Sequence, residues 1–561
     1  MSKKPKGNNT AVVVLLTVLI FVMIALTGLV IWMCVNLVNK TPQTTVRTET
    51  QVYTLPTVIR TEPTQAETQP PETTLPEPEH VVATASIGTM GDLLMHKPVF
   101  DTCLQSNGTY DFSSIFRYVK DIVSGLDYAI ANLETTFGGD DYPYQGNPAF
   151  NCPDALIDNV VDTGYDMLLT ANNHAGDTMA SGITRTVEII RGKGLTALGS
   201  QLNADEPKYA VVDVNGIKIG MVCYTWAYSS NGTSFSLNGL TPIKDEGQMN
   251  YFLNNDPGKL YTASEQILEQ MKADGAEATM MFIHWGVEYN IKENSLQDTM
   301  AQKLCDLGFD VIVGGHPHVV QPVDLLTSTV DPDHKTVVIY SLGNAVSNQR
   351  NGYIQAAPPY YTEDGILFTV TFEKYSDGAV YLQSVDALPT WVNMRTDGAK
   401  QYNILPLDED NQDQWAELFN LNDAMLSSAK KSMERTDSIV GAGMEKCRTY
   451  LEQQKADREA YYQDLASHPE AYVPSTVPEE TAGELFDRLA PMGADCLKKT
   501  VRALEEKRIT PVKQDEQKAT YAPMLDKTMA ELDFTRPAAE LHNLIRGLNP
   551  WPVAYTHYGD K

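Results

Sequence analysis

Cations are scarce in this chain of 561 residues: 43 Lys and Arg stand against 72 Asp and Glu, a formal net charge of -29. That balance excludes nucleic acid as a partner, because binding it needs clustered Lys and Arg to displace counterions. It also opposes any anionic polymer unless bound metal ions invert the local field. Paired-cysteine motifs are missing too. Cys34 lies in an apolar N-terminal run, and Cys103, Cys152, Cys223, Cys305, Cys447 and Cys496 show no CxxC spacing, so they read as isolated buried thiols.

Charge is absent altogether from Ala11 to Val38, which exceeds the roughly 20 apolar residues needed to cross a bilayer. The composition predicts a transmembrane helix over 11–38 behind a cytoplasmic N-terminus at 1–10. A signal peptide would have an apolar region of about 7–15 residues and a small-residue cleavage site, and neither is present. A lipoprotein signal fits worse, since bulky Met33 precedes Cys34. Lys3, Lys4 and Lys6 precede the span, so the positive-inside tendency places everything after Lys40 outside a single-pass cell-membrane protein. The next segment, 39–80, is poor in aromatic residues and rich in Thr, Pro, Glu and Gln. It cannot bury enough apolar surface to offset the entropy of ordering, and reads as a disordered tether across the cell wall rather than a packed stalk.

Regular structure is expected from Val81, in a chain long enough for two or more domains at roughly 150 residues each. Five short apolar runs, 81–87, 128–131, 167–170, 279–283 and 311–313, each end on polar residues: Gly91-Asp92, Asn132-Leu133-Glu134, Asn172-Asn173-His174, His284 and His316-Pro317-His318. Helix-like stretches such as Thr184 to Lys193 and Ala263 to Ala273 lie between them, giving βαβ alternation and an α/β class. Ligands collect at the carboxyl ends of strands in open α/β sheets, so the five polar motifs are expected to converge. Their chemistry is that of a metal site. Carboxylate and amide oxygens suit hard divalent ions, and Zn, Mn and Fe also accept imidazole. Two such ions can clamp a phosphoryl or similar group and generate a nucleophile. Asp92, Glu134, Asn173, His284, His316 and His318 are the expected ligands, and His174 the expected general acid.

These motifs, with Asp177, His284-Trp285-Gly286-Val287-Glu288-Tyr289, Gln321-Pro322 and Ser341-Leu342-Gly343-Asn344, resemble the CapA/PgsA capsule-synthesis family over roughly Val81 to Met394. The resemblance implies a calcineurin-like metallophosphoesterase fold, a four-layer αββα sandwich at 81–394, and a place in poly-gamma-glutamate capsule biosynthesis. It implies that Asp127 and Glu134 match the superfamily's Asp-x6-Asp motif with Glu134 as the bridging carboxylate, and that Asn173-His174 match ligand and acid. The opening Asp-x-His motif is absent. Leu94 stands at the second ligand position and His96 two residues beyond it, leaving the number of ions, one or two, open.

Plainer readings stand beside these. Asp92, Glu134 and Asn173 can cap following helices, an isolated His96 or His284 can be a hydrogen-bonded structural histidine, and Trp285 and Tyr289 can pack the wall of the site. Glu288 reads either as a partner of a metal-bound histidine or as a solvated acid. Residues 395–475 are expected to form exposed helices packed on the catalytic domain, a solvated appendage with no chemistry of its own. Thr481-Ala482-Gly483-Glu484-Leu485-Phe486-Asp487, Ala519-Thr520-Tyr521-Ala522-Pro523 and the run from Arg536-Pro537-Ala538-Ala539-Glu540 to Asn549-Pro550-Trp551-Pro552 resemble methionyl-tRNA formyltransferase at the join into its C-terminal domain, without the catalytic domain, so 480–561 reads as a fused or misassembled reading frame. The sequence therefore predicts a membrane-anchored extracellular protein that acts with a bilayer, capsule-synthase membrane subunits and an anionic polymer or phosphate-containing substrate. It acts either as a metal-dependent hydrolase or transferase using Mn, Fe or Zn, or as a non-catalytic scaffold.

Overall fold

A computed structural model describes residues 80–467 except 240, 241 and 397, with side chains to residue 460. The expected span at 11–38, the tether up to residue 79 and the formyltransferase-like fragment at 480–561 lie outside the described residues. Among the described residues no helix is long and apolar enough to cross a membrane.

Seventeen strands build the described part. They begin with β1 (Val81–Leu93), β2 (Tyr128–Asn132), β3 (Met167–Leu169), β4 (Thr196–Leu198), β5 (Tyr209–Val214) and β6 (Ile217–Ala227). A small hairpin, β7 (Ser234–Phe235) and β8 (Ile243–Lys244), precedes β9 (Tyr251–Leu253), β10 (Ala278–His284) and β11 (Val311–Gly315). The remainder are β12 (Val323–Thr327), β13 (Lys335–Ile339), β14 (Asn344–Val346), β15 (Asp364–Tyr375), β16 (Val380–Arg395) and β17 (Gln401–Pro406).

Two mixed sheets result. The first runs β17-β16-β15-β1-β2-β3-β4 with β14 beside β1, and the second runs β12-β13-β11-β10-β6-β5 with β9 beside β6. The strands that end on polar motifs are parallel neighbours, β1 to β2 to β3 in the first sheet and β10 to β11 in the second. Their middles are near-continuous apolar runs because both faces are covered, as parallel strands require. β10, Ala-Thr-Met-Met-Phe-Ile-His, is buried at every position.

Between the sheets Ile87, Ile130, Met221, Phe282, Val313 and Phe368 share one core. The outer face of the first sheet packs against the helices Ala155–Thr163 and Met179–Gly192, and that of the second against Gly258–Ala273 and Ser295–Leu307. Local chemistry sets the ends of these helices. Asn294 and Gln297 form a reciprocal capping box at the start of Ser295–Leu307, and Gly308, at φ 101°, supplies the left-handed residue that stops it.

The sheet runs on past the expected domain end at 394, since β17 pairs with β16 at its edge. The helix Asp423–Ser467 packs on the body of the domain as expected of a helical appendage, and part of it is buried. It lies against β16 and β12, one strand from each sheet, and Val440, Met444, Cys447 and Leu451 enter the core between the sheets. Many charges along this helix suggested a solvated element, yet its Lys446 and Arg448 pair with Asp324 on β12 and Asp386 on β16.

Candidate metal centre

The carboxyl ends of β1, β2, β3, β10 and β11 meet, and they bring together all six expected ligands. Asp92 is near the end of β1, where its register partners are Asn132 on β2 and Asn344 on β14. Close approach there demands glycine. A Cβ on Gly91 would lie 2.1 Å from the Gly343 carbonyl oxygen, and one on Gly314 would lie 2.1 Å from that of Tyr340.

Two donor groups share one carboxylate. Glu134, His284 and His316 have ligand atoms within 4.8 Å of one another, and so do Asp92, Glu134 and His318. Asn173 joins the first group through its Oδ1, 2.8 Å from His284 Nε2. Glu134 Oε1 is 3.6 Å from His284 Nε2 and 3.8 Å from His318 Nε2, beyond hydrogen-bond reach and suited to a common ion. His318 Nδ1 lies 3.1 Å from Asp92 Oδ2. His316 and His318 both have positive φ, 97° and 57°, a backbone state of the kind that clusters at functional sites and costs about 1–3 kcal/mol.

A cation fits this set. Glu134 Oε1 and His316 Nδ1 are buried with no hydrogen-bond partner, and an orphaned buried polar atom costs about 1–3 kcal/mol. Burial, then the nearby Asp92 carboxylate, pushes the Glu134 carboxyl well above the usual carboxylate range. Burial alone would raise Asp92 as well, but the hydrogen bond and charge of His318 outweigh it and hold Asp92 low. Burial drives His284 down to about 3 and His316 well below its ordinary value, so both imidazoles are neutral, as ligation requires. A bound dication reverses the penalty on Glu134.

Around the donors stand residues that sequence reasoning passed over. Asn132 donates from Nδ2 to Asp92 Oδ1 at 2.8 Å and to Glu134 Oε2 at 3.4 Å, tying the two carboxylates together. Asn172 donates to the Leu133 carbonyl and accepts from the His174 N–H, fixing the loop that carries Asn173. His174 Nδ1 lies 2.8 Å from Asp177 Oδ2. Asn238, from the loop between β7 and β8, sets its amide nitrogen 3.2 Å from His174 Nε2 and its oxygen against Asn173. Asn132 and Asn172 were visible inside quoted motifs, whereas nothing local marks Asn238, which is 64 residues from His174.

Other expectations divide. None of Asp92, Glu134 and Asn173 caps a described helix; the following N-caps are His96, Gly138 and Thr178. His284 stands in the first candidate donor group. Trp285 packs the wall, buried, with its indole N–H on the Tyr340 carbonyl. Asp127 is a structural residue, since its carboxylate accepts from the N–H and hydroxyl of Ser86, both at 2.8 Å, at the opposite end of β2. Leu94 is buried and supplies no ligand. His96 does not enter either donor group. Its ring lies edge-on to Phe150, which in turn packs against His174, and burial lowers it to about 4.

The fold and site define an α/β protein of two packed sheets whose strand ends enclose a candidate two-ion centre. Residues 86–349 match the family described as bacterial capsule synthesis protein PGA_cap. It is 27% identical over 271 residues to the "Capsule biosynthesis protein CapA" of Bacillus anthracis, covering 46% of this chain and 59% of that protein. It is 26% identical over 340 residues to the "PGA biosynthesis protein CapA" of Bacillus subtilis (strain 168), covering 59% and 79%. The C-terminal segment is separate: residues 524–561 match the formyl transferase C-terminal domain. Over 81 residues the chain is 59% identical to the "Methionyl-tRNA formyltransferase" of Clostridium novyi (strain NT), 14% of this chain and 26% of that enzyme. The chain thus spans about a quarter of the length of that formyltransferase.

Proposed function

We propose that this chain is a membrane-anchored extracellular protein of capsule or poly-gamma-glutamate assembly or export, with a metal-dependent hydrolase or transferase centre. The observation that carries the reading is Glu134, a buried carboxylate common to two donor groups, with Oε1 lacking any hydrogen-bond partner. Helices outside two packed sheets, with donors at strand ends, support the calcineurin-like four-layer αββα assignment. The names of the two CapA relatives support the capsule context, and the charge-free run at 11–38 supports the anchor. Capsule-synthase membrane subunits are the proposed partners. The formyltransferase-like tail is proposed to be a fused or misassembled reading frame that adds no activity.

Asp92, Glu134 and His318 would hold one ion, and Glu134, Asn173, His284 and His316 the other, with Mn, Fe or Zn suited to mixed carboxylate, amide and imidazole donors. When bound, such ions polarise the scissile group and supply a strong nucleophile from water at neutral pH. The protein's own part is positioning and proton transfer. Asn132 holds Asp92 and Glu134 at fixed separation, and Asn172 anchors the loop of Asn173. Asp177 orients His174 through Nδ1, and Nε2, which faces the Asn238 amide nitrogen at 3.2 Å, is the atom proposed to pass a proton to a leaving group that displaces that amide.

One observation favours the second reading, a non-catalytic scaffold. The opening Asp-x-His motif is absent, with Leu94 at the second ligand position and His96 outside both donor groups. Hydrolysis of bis(p-nitrophenyl) phosphate and p-nitrophenyl acetate by the Mn-, Fe- or Zn-loaded full chain tests between the two. The hydrolase reading expects turnover that falls about 100- to 10,000-fold in His174→Ala, with metal content unchanged. Metal-loaded protein with no turnover on either ester would leave the scaffold.

A further inference from the structure

A cavity of about 450 Å³ is bounded by Tyr228, the loop Ser229–Ser236, Pro242 and the turn Asn254–Asn255. Its size falls within the roughly 300–1,000 Å³ of small-molecule sites. Rings connect it to the metal donors. Tyr228 packs edge-on to Trp226 at 5.2 Å between centroids, and Trp226 packs edge-on to His316 at 5.4 Å. Tyr228 is 57% exposed, so most of a large aromatic face is left to solvent at the cavity mouth.

The polar groups divide into those that build the wall and those left over. Ser229 Oγ donates to the Ser234 carbonyl, and Ser234 Oγ donates to Asn231 Oδ1. Backbone bonds between Tyr228 and Ser236 close the loop. Ser230, Asn254 and Asn255 are exposed and line the same cavity. None of the nine lining residues is charged. Among the described residues, therefore, the lining offers an anionic chain no counter-charge, in a protein whose net charge is already -29. Hydroxyls and primary amides beside an exposed aromatic face match a ligand with an apolar C–H face and a rim of hydroxyls.

We propose that the cavity walled by Tyr228, Ser230, Asn254 and Asn255 is a neutral-saccharide subsite, seated two aromatic rings away from the metal donors. The sugar face lies on Tyr228 and its hydroxyls pair with the serine and asparagine groups. This deepens the hydrolase reading and rests on it for what the centre does: the ions handle the reacting ester or phosphoryl group, and the cavity recognises the sugar that bears it.

Isothermal titration of the full chain, solubilised in mild detergent, with chitotetraose, cellotetraose and maltotetraose tests this, with oligo-gamma-glutamate as the anionic comparison. Metal content is measured on the same samples by plasma mass spectrometry. Binding of at least one tetrasaccharide is expected, weakened tenfold or more by Tyr228→Ala and by the double variant Asn254→Ala/Asn255→Ala, and preserved in Tyr228→Phe. Far-ultraviolet circular dichroism and metal content are expected to be unchanged by these exposed substitutions. The proposal is overturned if no tetrasaccharide binds, if binding ignores Tyr228→Ala, or if oligo-gamma-glutamate is the ligand whose binding Tyr228→Ala removes. Tyr228-dependent saccharide binding in protein that takes up no metal would uphold the subsite and remove the hydrolase reading, and metal uptake without saccharide binding would do the reverse.

Discussion

At the scale of single residues the centre is a problem of burying charge. Glu134 is fully enclosed beside Asp92, and burial with that neighbouring carboxylate raises its pKa, so protons compete with a cation for this carboxylate. Metal uptake at neutral pH should therefore release protons, and affinity should rise with pH as protons cease to compete. Titration calorimetry in buffers of different ionisation enthalpy checks this: binding enthalpy is expected to depend on the buffer for the parent protein and less so for Glu134→Gln. Gly91 is a second residue-scale test. Its α-carbon faces the Gly343 carbonyl so closely that a methyl would sit 2.1 Å from the oxygen, and the neighbour is backbone, which cannot rotate away. Gly91→Ala should cost about 1–3 kcal/mol of stability, the usual range for overpacking, and should weaken metal binding by displacing Asp92. Urea midpoints and metal content measure the two effects separately.

Among the elements, the helix Asp423–Ser467 is tied to the body by a buried ion pair. Asp364, at the start of β15, accepts from Arg435 at 2.6 and 2.7 Å and from Ser432 at 2.6 Å. Burial nevertheless pushes Asp364 up to about 6 from 3.8. A raised acid binds its proton more tightly folded than unfolded, so its stabilising contribution is complete below pH 3.8 and lost as pH rises through 6. The difference in unfolding free energy between the parent and Asp364→Asn should accordingly fall by about 3 kcal/mol across that window, at about 1.4 kcal/mol per pH unit. A flat difference would contradict it. Arg435→Ala strands the buried carboxylate, and is expected to cost about 3–5 kcal/mol at pH 7. Denaturant titration of both variants provides the measurement. This helix also marks where sequence reading stopped short. The run Met444-Glu445-Lys446-Cys447-Arg448 looks amphipathic and solvated, and only the strand order reveals that Met444 and Cys447 close the gap between two sheets.

Across the whole molecule the site was more legible than its surroundings, for a physical reason. Each candidate ligand follows a short apolar run, and in a doubly covered parallel sheet such a run can only be a central strand with its polar end at the ligand-binding edge. Asp92, Glu134, Asn173, His284, His316 and His318 announce themselves in that way. Asn238 and Tyr228 do not, because they lie on irregular chain after β6 whose position depends on the pairing of β7 with β8 and β6 with β9. Asp127 carried the right spacing yet braces the far end of β2, since spacing alone does not say at which end of a strand a side chain lies.

The central claim is that one buried carboxylate is shared by two ion sites, and metal stoichiometry tests it most directly. Plasma mass spectrometry on the full chain, reconstituted with Mn, Fe or Zn, should find about two ions per chain. His316→Ala should retain one ion, His318→Ala should retain one, and Glu134→Gln should lose both. If Glu134→Gln binds as many ions as the parent, or if the parent binds none after reconstitution, the shared-carboxylate centre is contradicted.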